Sequence, residues 1–429
     1  MRGRLRRRVP AAAAHQADLL VGRLDRGGRP RGAGVSALVA TEASTPTELR
    51  DLARTIGRDV AAVHAADVDR QARFPKETID ALREARLLGA LVPVELGGLG
   101  HDVRQMAAVV RELGRHCASS AMILAMHDSQ AACLTRHGDT EPLRAFQRRM
   151  ATEQLLIASA TTEIGIGGNT RSSSCAVERS GGRFTLTKQA PVISYGEYAD
   201  AVLVTARRAD DAADSDQVLV VCERSDDSTL GLEPISGWDT LGFRGTCSRG
   251  FTLTATGPES SVCEVPFGDI SAATMLPVSH LLWSSLWRGL ADEAADRARR
   301  FVQKAARRDL STIPPGAQRL AELQVELQQL GASVEHLLGR YTAVQDDPEA
   351  TSSLDFMISI NTLKVNASTA VVDVLNRAII ICGIAGYRED SEFSLGRLLR
   401  DAHGAAVMVN NDRIMGNTAR LTLMLRGEQ

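Results

Sequence analysis

ASATTEIGIGGNTRSSSCAVERSGGRFTLTKQAPVISYGEYAD, residues 158–200, is the stretch that decides the fold of the middle of the chain. Two predicted strands, SSSCAVERS (172–180) and RFTLTKQA (183–190), are joined by Gly181-Gly182, and glycine accepts the positive φ values of a tight hairpin. The apolar segment LLIASATT (155–162) predicts a strand before them. Alternating apolar and polar residues, with many β-branched side chains, predict an antiparallel β sheet here.

A glycine-rich turn follows the first of these strands and contains Gly165, Gly167 and Gly168. Such a turn exposes backbone N–H groups, which bind anions such as a pyrophosphate. Glycine turns between strands more often serve only to reverse the chain. Taken alone, the turn therefore leaves two interpretations open, an ordinary turn and a phosphate-binding loop.

The composition of the whole chain limits the classes of protein to which it can belong. The chain has 429 residues, of which 44% are hydrophobic and 24% charged, and its formal net charge is −2. This length suits two or three packed blocks rather than one small core. A near-neutral balance argues against nucleic acid as the main partner. Because no run of about 18 uncharged apolar residues occurs, we expect no membrane span.

The seven cysteines are scattered, and none belongs to a CxxC pair. An odd and dispersed set is typical of reduced thiols in a cytoplasmic protein. Most such thiols act as small buried hydrophobic side chains. We therefore expect free, buried cysteines and a cytoplasmic location.

Changes of pattern along the chain predict its domain organisation, an α+β fold. Residues 1–44 are rich in Arg, Gly and Ala, and we interpret them as a disordered tail; a signal peptide is disfavoured because the apolar run is short and interrupted. Residues 45–153 repeat apolar positions every three to four residues and predict an N-terminal α-helical domain, in which residues 102–138 form two helices with a break near Ser119-Ser120. Residues 154–270 predict a middle antiparallel β domain. Residues 271–429 predict three long helices and a short final pair, a four-helix-bundle-like α domain.

Several segments contain distinctive glycine motifs in a fixed order, namely LVPVELGGLG (91–100), TEIGIGGN (162–169), VISYG (192–196), GWDTLGFRGT (237–246), and CGIAGY (382–387) followed by RLLRD (397–401). Together they resemble the motifs of the acyl-CoA dehydrogenase family, which has the same order of helical domain, β domain and helical bundle. The resemblance covers roughly residues 45–427. It departs from the family pattern where Ile164 replaces Pro, Gly168-Asn169 replaces Ser-Asp, and Val192 replaces Trp.

The resemblance implies an FAD-dependent oxidoreductase that acts on an acyl thioester carried by CoA or by an acyl carrier protein, and specialised metabolism is one setting for it. In the family a flavin accepts a hydride from the β-carbon while a base removes the α-proton, and the protein positions both. The family shares each FAD between two subunits, which implies a homodimer or homotetramer. The implied cofactor residues are Thr162 and Ser194 near the ring, Gly167 and Gly168 at the phosphates, Gly383 and Gly386 from the second subunit, and Asn411.

The usual catalytic base is missing from the implied site. Family members carry a Glu eight residues after the Asp that is here Asp401, and that position is Val409. Others carry it on the first bundle helix, where this chain has Ser279. His280 is the first remaining candidate base because an imidazole titrates near neutrality, and Asp412 is the second. The alternative interpretation of His280 is a solvent-facing residue at the start of a helix.

We therefore predict that ordinary α,β-dehydrogenation of a saturated acyl-CoA is slow or absent. Two other functions remain open at this point. One is a flavin monooxygenase on the same fold, which uses reduced flavin and oxygen and needs no α-proton base. The other is a non-catalytic subunit of a mixed oligomer. Two further side chains have open interpretations. His127 is expected to pack in the core or between helices rather than to act as a catalyst. Arg244 is interpreted either as a buried or hinge-side charge or as part of a structural ion pair.

Overall fold

The computed structural model describes residues 39–165, 170–307 and 313–425. Most of the predicted tail lies outside these ranges. The part that is described packs against the first domain, because Ala40 is buried and its N–H donates to the carbonyl of Ala85 at 3.1 Å. For residues 39–44 the expectation of a disordered tail therefore does not hold.

The N-terminal domain is helical, as predicted. Thr45 caps the first helix with a reciprocal pair of hydrogen bonds to Glu48, and Pro46 occupies the first turn. We predicted a break near Ser119-Ser120; the break instead lies before Ala118, so both serines belong to the first turn of a helix. The six helices are α1 (Pro46–Ile56), α2 (Ala62–Gln71), α3 (Lys76–Glu84), α4 (Val103–Gly114), α5 (Ala118–His137) and α6 (Glu141–Thr152).

The middle domain contains two four-stranded sheets, with strand orders β1-β4-β5-β8 and β2-β3-β7-β6. Within this domain every named strand pair is antiparallel except β1 and β4, which are parallel. This corrects the prediction for that pair: a hairpin in the other sheet separates the two strands, so the chain returns in its original direction. The strands are β1 (Ile157–Ala160), β2 (Glu178–Ser180), β3 (Arg183–Ala190), β4 (Ala201–Arg207), β5 (Gln217–Glu223), β6 (Thr229–Pro234), β7 (Phe251–Pro258) and β8 (Val262–Cys263).

The predicted hairpin joins β2 and β3. Gly181 and Gly182 have φ values of 58° and 76°, the left-handed conformation that a two-residue hairpin turn requires. Strand β3 alternates strictly between exposed and buried residues, in agreement with its sequence. Strand β2 is shorter than predicted, because the chain before Glu178 forms only an isolated bridge between Ala176 and Arg207.

The C-terminal domain is a bundle of long helices followed by a short pair, as predicted. Helix α8 lies at its centre and packs against α4, α5, α9 and α11. Within the described residues, α11 is the one helix long and apolar enough to cross a membrane by length and composition; here it packs on α8 and α9 as a core helix does. The helices are α7 (Phe267–Ile270), α8 (Leu276–Ala306), α9 (Gly316–Val344), α10 (Pro348–Ser352), α11 (Leu354–Cys382), α12 (Ile384–Tyr387), α13 (Gly396–Val407) and α14 (Asn411–Met424).

Candidate functional site

The first part of the candidate site lies where the chain leaves β1. Thr162 Oγ1 donates a hydrogen bond to the carbonyl oxygen of Val192 at 3.3 Å. The hydroxyl of Ser194 accepts one from Ser248 Oγ at 2.8 Å, and the N–H of Tyr195 donates to the carbonyl of Thr246, also at 2.8 Å. Three separate segments of the β domain are therefore fixed against one another, and Thr162 and Ser194 lie on two of them.

The surface at this point combines hydroxyl groups with exposed apolar side chains. Ile164 is 49% exposed and Val192 is 39% exposed, and the hydroxyl of Thr162 donates to the carbonyl of Val192, whereas Ser194 is 8% exposed. A flat aromatic ring with a polar edge needs such a mixture, in which apolar groups cover the ring and a few polar groups fix its orientation. The residues present therefore fit the ring of a flavin.

Glu163 holds the far end of the glycine-rich turn. Its buried carboxylate accepts hydrogen bonds from Ser173 Oγ at 2.7 Å and from the N–H of Cys175 at 3.0 Å. Lys188 Nζ lies 3.5 Å from the same carboxylate, and both side chains are almost fully buried. Gly167 and Gly168 lie between these anchored ends but outside the described residues, so their role at the phosphates stays a prediction.

The second part of the site is the turn between α11 and α12. Gly383 adopts a φ of 56°, and no atom lies within 4 Å of the position that a Cβ would take. A Cβ on Gly386 would approach the Cβ of Cys382 to 2.8 Å. The neighbouring side chains of Ile384 and Tyr387 are 72% and 75% exposed. This surface is open, which is compatible with the predicted contact to a second subunit.

The third part is the loop in which the family's Glu is expected. Val409 has a φ of 44°, an unusual conformation for a β-branched residue, and its side chain is 48% exposed. Lys364 of α11 donates to the carbonyl of Val409 at 2.9 Å and to Asn411 Oδ1 at 2.7 Å. Asn411 also donates to Ser368 Oγ at 3.0 Å. Asn411 therefore fixes the loop to α11, whereas Asp412 is exposed on the first turn of α14.

His280 does not face solvent, contrary to the alternative interpretation above. It lies in the first turns of α8 and is only 2% exposed. Burial, with the nearby charge of Lys364, lowers the pKa of His280 to about 3, although a hydrogen bond to the carbonyl of Ile360 opposes this shift. The ring is thus neutral at pH 7, and as a proton acceptor it is much weaker than an ordinary histidine.

Lys364, which is not among the predicted site residues, links this loop to α11. Its ammonium lies 5.8 Å from the centre of the Trp287 ring. The sequence does contain a signal for it, because Lys364 is the one charged residue between Asp355 and Asp373 in an otherwise apolar and polar helix. A lone charge on a core helix points to a specific partner or a functional role.

His127 and Arg244 both have structural roles. His127 is fully buried; its Nε2 lies 2.7 Å from the carbonyl oxygen of Leu88, and its Nδ1 accepts from the N–H of Ile157 at 3.1 Å. Arg244 pairs with Asp239 at 2.9 Å and also donates to the carbonyl of Asp69 at 2.9 Å. The two side chains thus connect elements of the N-terminal and middle domains.

Comparisons with known proteins agree with this architecture. The family descriptions "Acyl-CoA dehydrogenase, N-terminal domain" and "Acyl-CoA dehydrogenase, C-terminal domain" match residues 44–154 and 271–419. The chain is similar to cyclohex-1-ene-1-carbonyl-CoA dehydrogenase of Geobacter metallireducens, with 26% identity over 378 residues, 86% of this chain and 96% of the relative.

Two solved structures share the fold. The FMN-bound dibenzothiophene monooxygenase TdsC of Paenibacillus sp. A11-2 superimposes with a TM-score of 0.76 and 20% identity, covering 88% of this chain and 98% of the neighbour. Butyryl-CoA dehydrogenase of Megasphaera elsdenii gives a TM-score of 0.73 and 20% identity over the same shares of the two chains. The matches at both ends of the chain, with the helical, β and helical order of the fold, lead to one conclusion: the chain belongs to the acyl-CoA dehydrogenase family, whose members are FAD-binding flavoproteins.

Proposed function

We propose that this protein is an FAD-dependent oxidoreductase that binds an acyl thioester of CoA or of an acyl carrier protein, and that it does not carry out ordinary α,β-dehydrogenation at a useful rate. The observation that supports this is the loop at Val409. The position expected for a carboxylate base is an apolar side chain, and a buried lysine is bonded to its backbone. Removal of an α-proton requires a base near the reacting carbon, and valine cannot act as one.

The residues that would hold FAD are those of the first two parts of the site. Thr162 and Ser194 would bind the flavin edge, Gly167 and Gly168 the phosphates, and Gly383 and Gly386 a partner's cofactor, with Asn411 keeping the adjacent loop in place. The flavin supplies hydride or oxygen chemistry when bound. His280 and then Asp412 remain the candidate proton acceptors, and burial beside Lys364 makes His280 a weak one because both lower its pKa.

A flavin-dependent monooxygenase is the second candidate function. The oxygen chemistry of a monooxygenase needs no carboxylate base, whereas dehydrogenation does. A site without such a base therefore suits the monooxygenase reaction better. The fold similarity to dibenzothiophene monooxygenase supports this candidate. A non-catalytic subunit of a mixed oligomer is the third possibility.

The test begins with the visible spectrum of the purified full-length chain. We expect a yellow protein that retains FAD; a colourless protein that takes up no FAD at micromolar concentration would support the non-catalytic subunit instead. Anaerobic addition of butyryl-CoA is expected to bind without rapidly bleaching the flavin. Oxygen uptake that depends on reduced flavin and on a second substrate would favour the monooxygenase.

We also propose a homodimer or homotetramer in the cytoplasm. The exposed apolar side chains around the α11–α12 turn support the oligomer, because Ile380, Ile384 and Tyr387 are 59%, 72% and 75% exposed. The seven free, buried cysteines support a reducing compartment. We propose the same boundaries for the tail, helical, β and bundle regions, residues 1–44, 45–153, 154–270 and 271–429, except that residues 39–44 of the tail pack against the helical region.

A further inference from the structure

One face of helix α8 carries four buried polar groups without hydrogen-bond partners. His280, Trp283, Ser284 and Trp287 follow the spacing i, i+3, i+4 and i+7, which places them on one side of a helix. All four side chains are at least nine-tenths buried. In the described part of the chain, His280 Nδ1, Trp283 Nε1, Ser284 Oγ and Trp287 Nε1 each have no partner.

Such groups are rare in a protein interior because burying an unbonded donor or acceptor costs free energy. Four of them lie on two turns of one helix, so this face offers several hydrogen-bonding groups to a single ligand. Both indole N–H groups can only donate, and the hydroxyl of Ser284 can also donate. While the His280 ring is neutral, its free nitrogen accepts, and it becomes a donor on protonation. This face of α8 therefore offers mainly hydrogen-bond donors and suits a ligand that accepts hydrogen bonds.

The facing helix supplies a cation. Lys364 of α11 is fully buried, and its ammonium lies 5.8 Å from the centre of the Trp287 ring. Two of its three N–H groups are accounted for by the carbonyl of Val409 and by Asn411 Oδ1, which leaves one. Burial lowers the pKa of Lys364 to about 8, and no carboxylate among residues 39–165, 170–307 and 313–425 lies close enough to form an ion pair with it.

The same protein pairs its other fully buried lysine. Lys188 is 1% exposed and lies 3.5 Å from the buried carboxylate of Glu163. A buried charge without a counter-ion is expensive, so a fold retains one only where something compensates for it. The contrast between Lys188 and Lys364 indicates that the counter-ion of Lys364 comes from outside the chain.

We infer that Lys364, together with Trp283, Ser284 and Trp287, forms a subsite for an anionic group of the substrate, such as a carboxylate. This inference rests on the proposed function for the thioester end of the substrate, and it adds that the acyl part carries a negative charge. The subsite is consistent with the loss of the base: Val409 places no acid beside Lys364, so a substrate anion meets no like charge there. His280 stays neutral at pH 7 and lies on the same helix face, one turn before Ser284.

The test compares probes that differ only in charge. Glutaryl-CoA and pentanoyl-CoA have acyl chains of the same length, but one ends in a carboxylate and the other in a methyl group. Isothermal titration calorimetry of the full-length protein with FAD is expected to show glutaryl-CoA binding at least about tenfold more tightly. Equal affinity for the two thioesters would overturn the inference.

Two variants test whether the preference for glutaryl-CoA arises at the proposed subsite. Lys364→Met is expected to abolish the preference for glutaryl-CoA, and Ser284→Ala is expected to reduce it by about threefold while leaving the fold unchanged. Lys76→Met is the control, because it removes a lysine that pairs with Asp80 on the surface of α3, away from the candidate site. It is expected to retain the preference. Lys364→Met also loses the hydrogen bonds to Val409 and Asn411 and is expected to lower the melting temperature, so the preference is compared in variants shown to be folded. A preference that survives in Lys364→Met contradicts the subsite.

A second readout separates failure of the subsite from failure of the proposed function. The chain has three tryptophans, and Trp238→Phe leaves only Trp283 and Trp287 as fluorescent reporters. In this variant without added CoA thioester, benzoate is expected to quench the fluorescence and benzamide is not. If neither thioester binds but benzoate quenching depends on Lys364, the proposed function fails and the subsite stands. If benzoate and benzamide act alike and the thioesters bind equally, the subsite fails.

Discussion

At the scale of single residues, Val409 decides which chemistry the site can support. Its backbone is in the left-handed region, where a β-branched side chain is strained, and its carbonyl is held by Lys364. The strain implies that the contacts of the loop, rather than the backbone preference of Val409, determine the loop conformation. Replacing the side chain therefore changes the chemistry available at this position without requiring a new backbone.

The first prediction is that Val409→Glu creates dehydrogenase activity. The variant places a carboxylate at the position where the family has its base, and an unbranched glutamate tolerates the backbone conformation better than valine. We expect rapid anaerobic bleaching of the flavin by butyryl-CoA in the variant and little in the parent. Val407→Glu, on a side chain that is 72% exposed two residues away, is the control and should not bleach. Rapid bleaching in the parent would contradict the loss of the base.

The second prediction concerns the pH dependence contributed by Asp401. Burial raises the pKa of Asp401 to about 6, although Arg397 and the N–H of Phe243 oppose the shift. In the unfolded chain this carboxyl loses its proton near pH 4, so between pH 4 and 6 the folded state binds more protons. The contribution of Asp401 to the free energy of unfolding is complete below pH 4 and is lost as the pH rises to 6. The loss is about 3 kcal/mol.

Denaturant unfolding of the parent and of Asp401→Asn across this range measures that contribution. Asparagine keeps an oxygen that can accept from Phe243, which donates to Asp401 at 2.7 Å, but it does not titrate. The free energy of unfolding of the parent relative to the variant should fall from pH 4 to pH 6. The parent and the variant are compared because His127, whose pKa burial lowers to about 4, has the opposite effect on the free energy of unfolding over this pH range. That effect is the same in both proteins and cancels in the comparison. A constant difference would show that Asp401 does not titrate in this range.

At the scale of elements, local sequence patterns predicted individual strands and hairpins better than they predicted which strands pair. The β2–β3 hairpin and strand β3 followed from two glycines and strict alternation, both of which are local properties. The parallel pairing of β1 and β4 could not be predicted in the same way. It depends on which sheet the intervening hairpin joins, and that is fixed by packing between distant segments. The start of α5 was misplaced because serines at 119 and 120 are tolerated in a first turn.

The third prediction concerns the contact between α4 and α8. A Cβ on Gly289 would lie 2.1 Å from the carbonyl oxygen of Arg111, which is backbone and cannot move aside. Gly289→Ala is therefore expected to lower the free energy of unfolding by about 3 kcal/mol. Gly339→Ala on α9 is the control, because its Cβ would have only Arg104 at 3.9 Å. We expect a gain of about 1 kcal/mol there from better helix propensity. Equal effects in urea unfolding would refute the close contact.

At the scale of the whole molecule, the three domains meet at helix α13. Arg400 forms an ion pair with Asp69 of the N-terminal domain, and Asp401 accepts from Phe243 of the β domain. The motifs near Thr162 and Gly383 could be found from the sequence because their residue types are distinctive. The buried face of α8 and its facing lysine could not, because ordinary serine, tryptophan and lysine side chains become unusual only once the fold buries them without partners.

The last prediction is that the α11–α12 turn belongs to an interface between subunits and that FAD retention depends on it. Ile384 and Tyr387 are among the most exposed large apolar side chains, and they flank Gly386. A charge in a buried interface lacks a partner, so Ile384→Asp should separate the subunits and release FAD together. Val63→Asp, on α2 at a side chain that is 66% exposed, should change neither property. Sedimentation velocity monitored at 280 nm and in the flavin band reports both at once. A parent that sediments as a monomer and still carries flavin would show that the site is complete within one chain, and the turn would then have no role in cofactor binding.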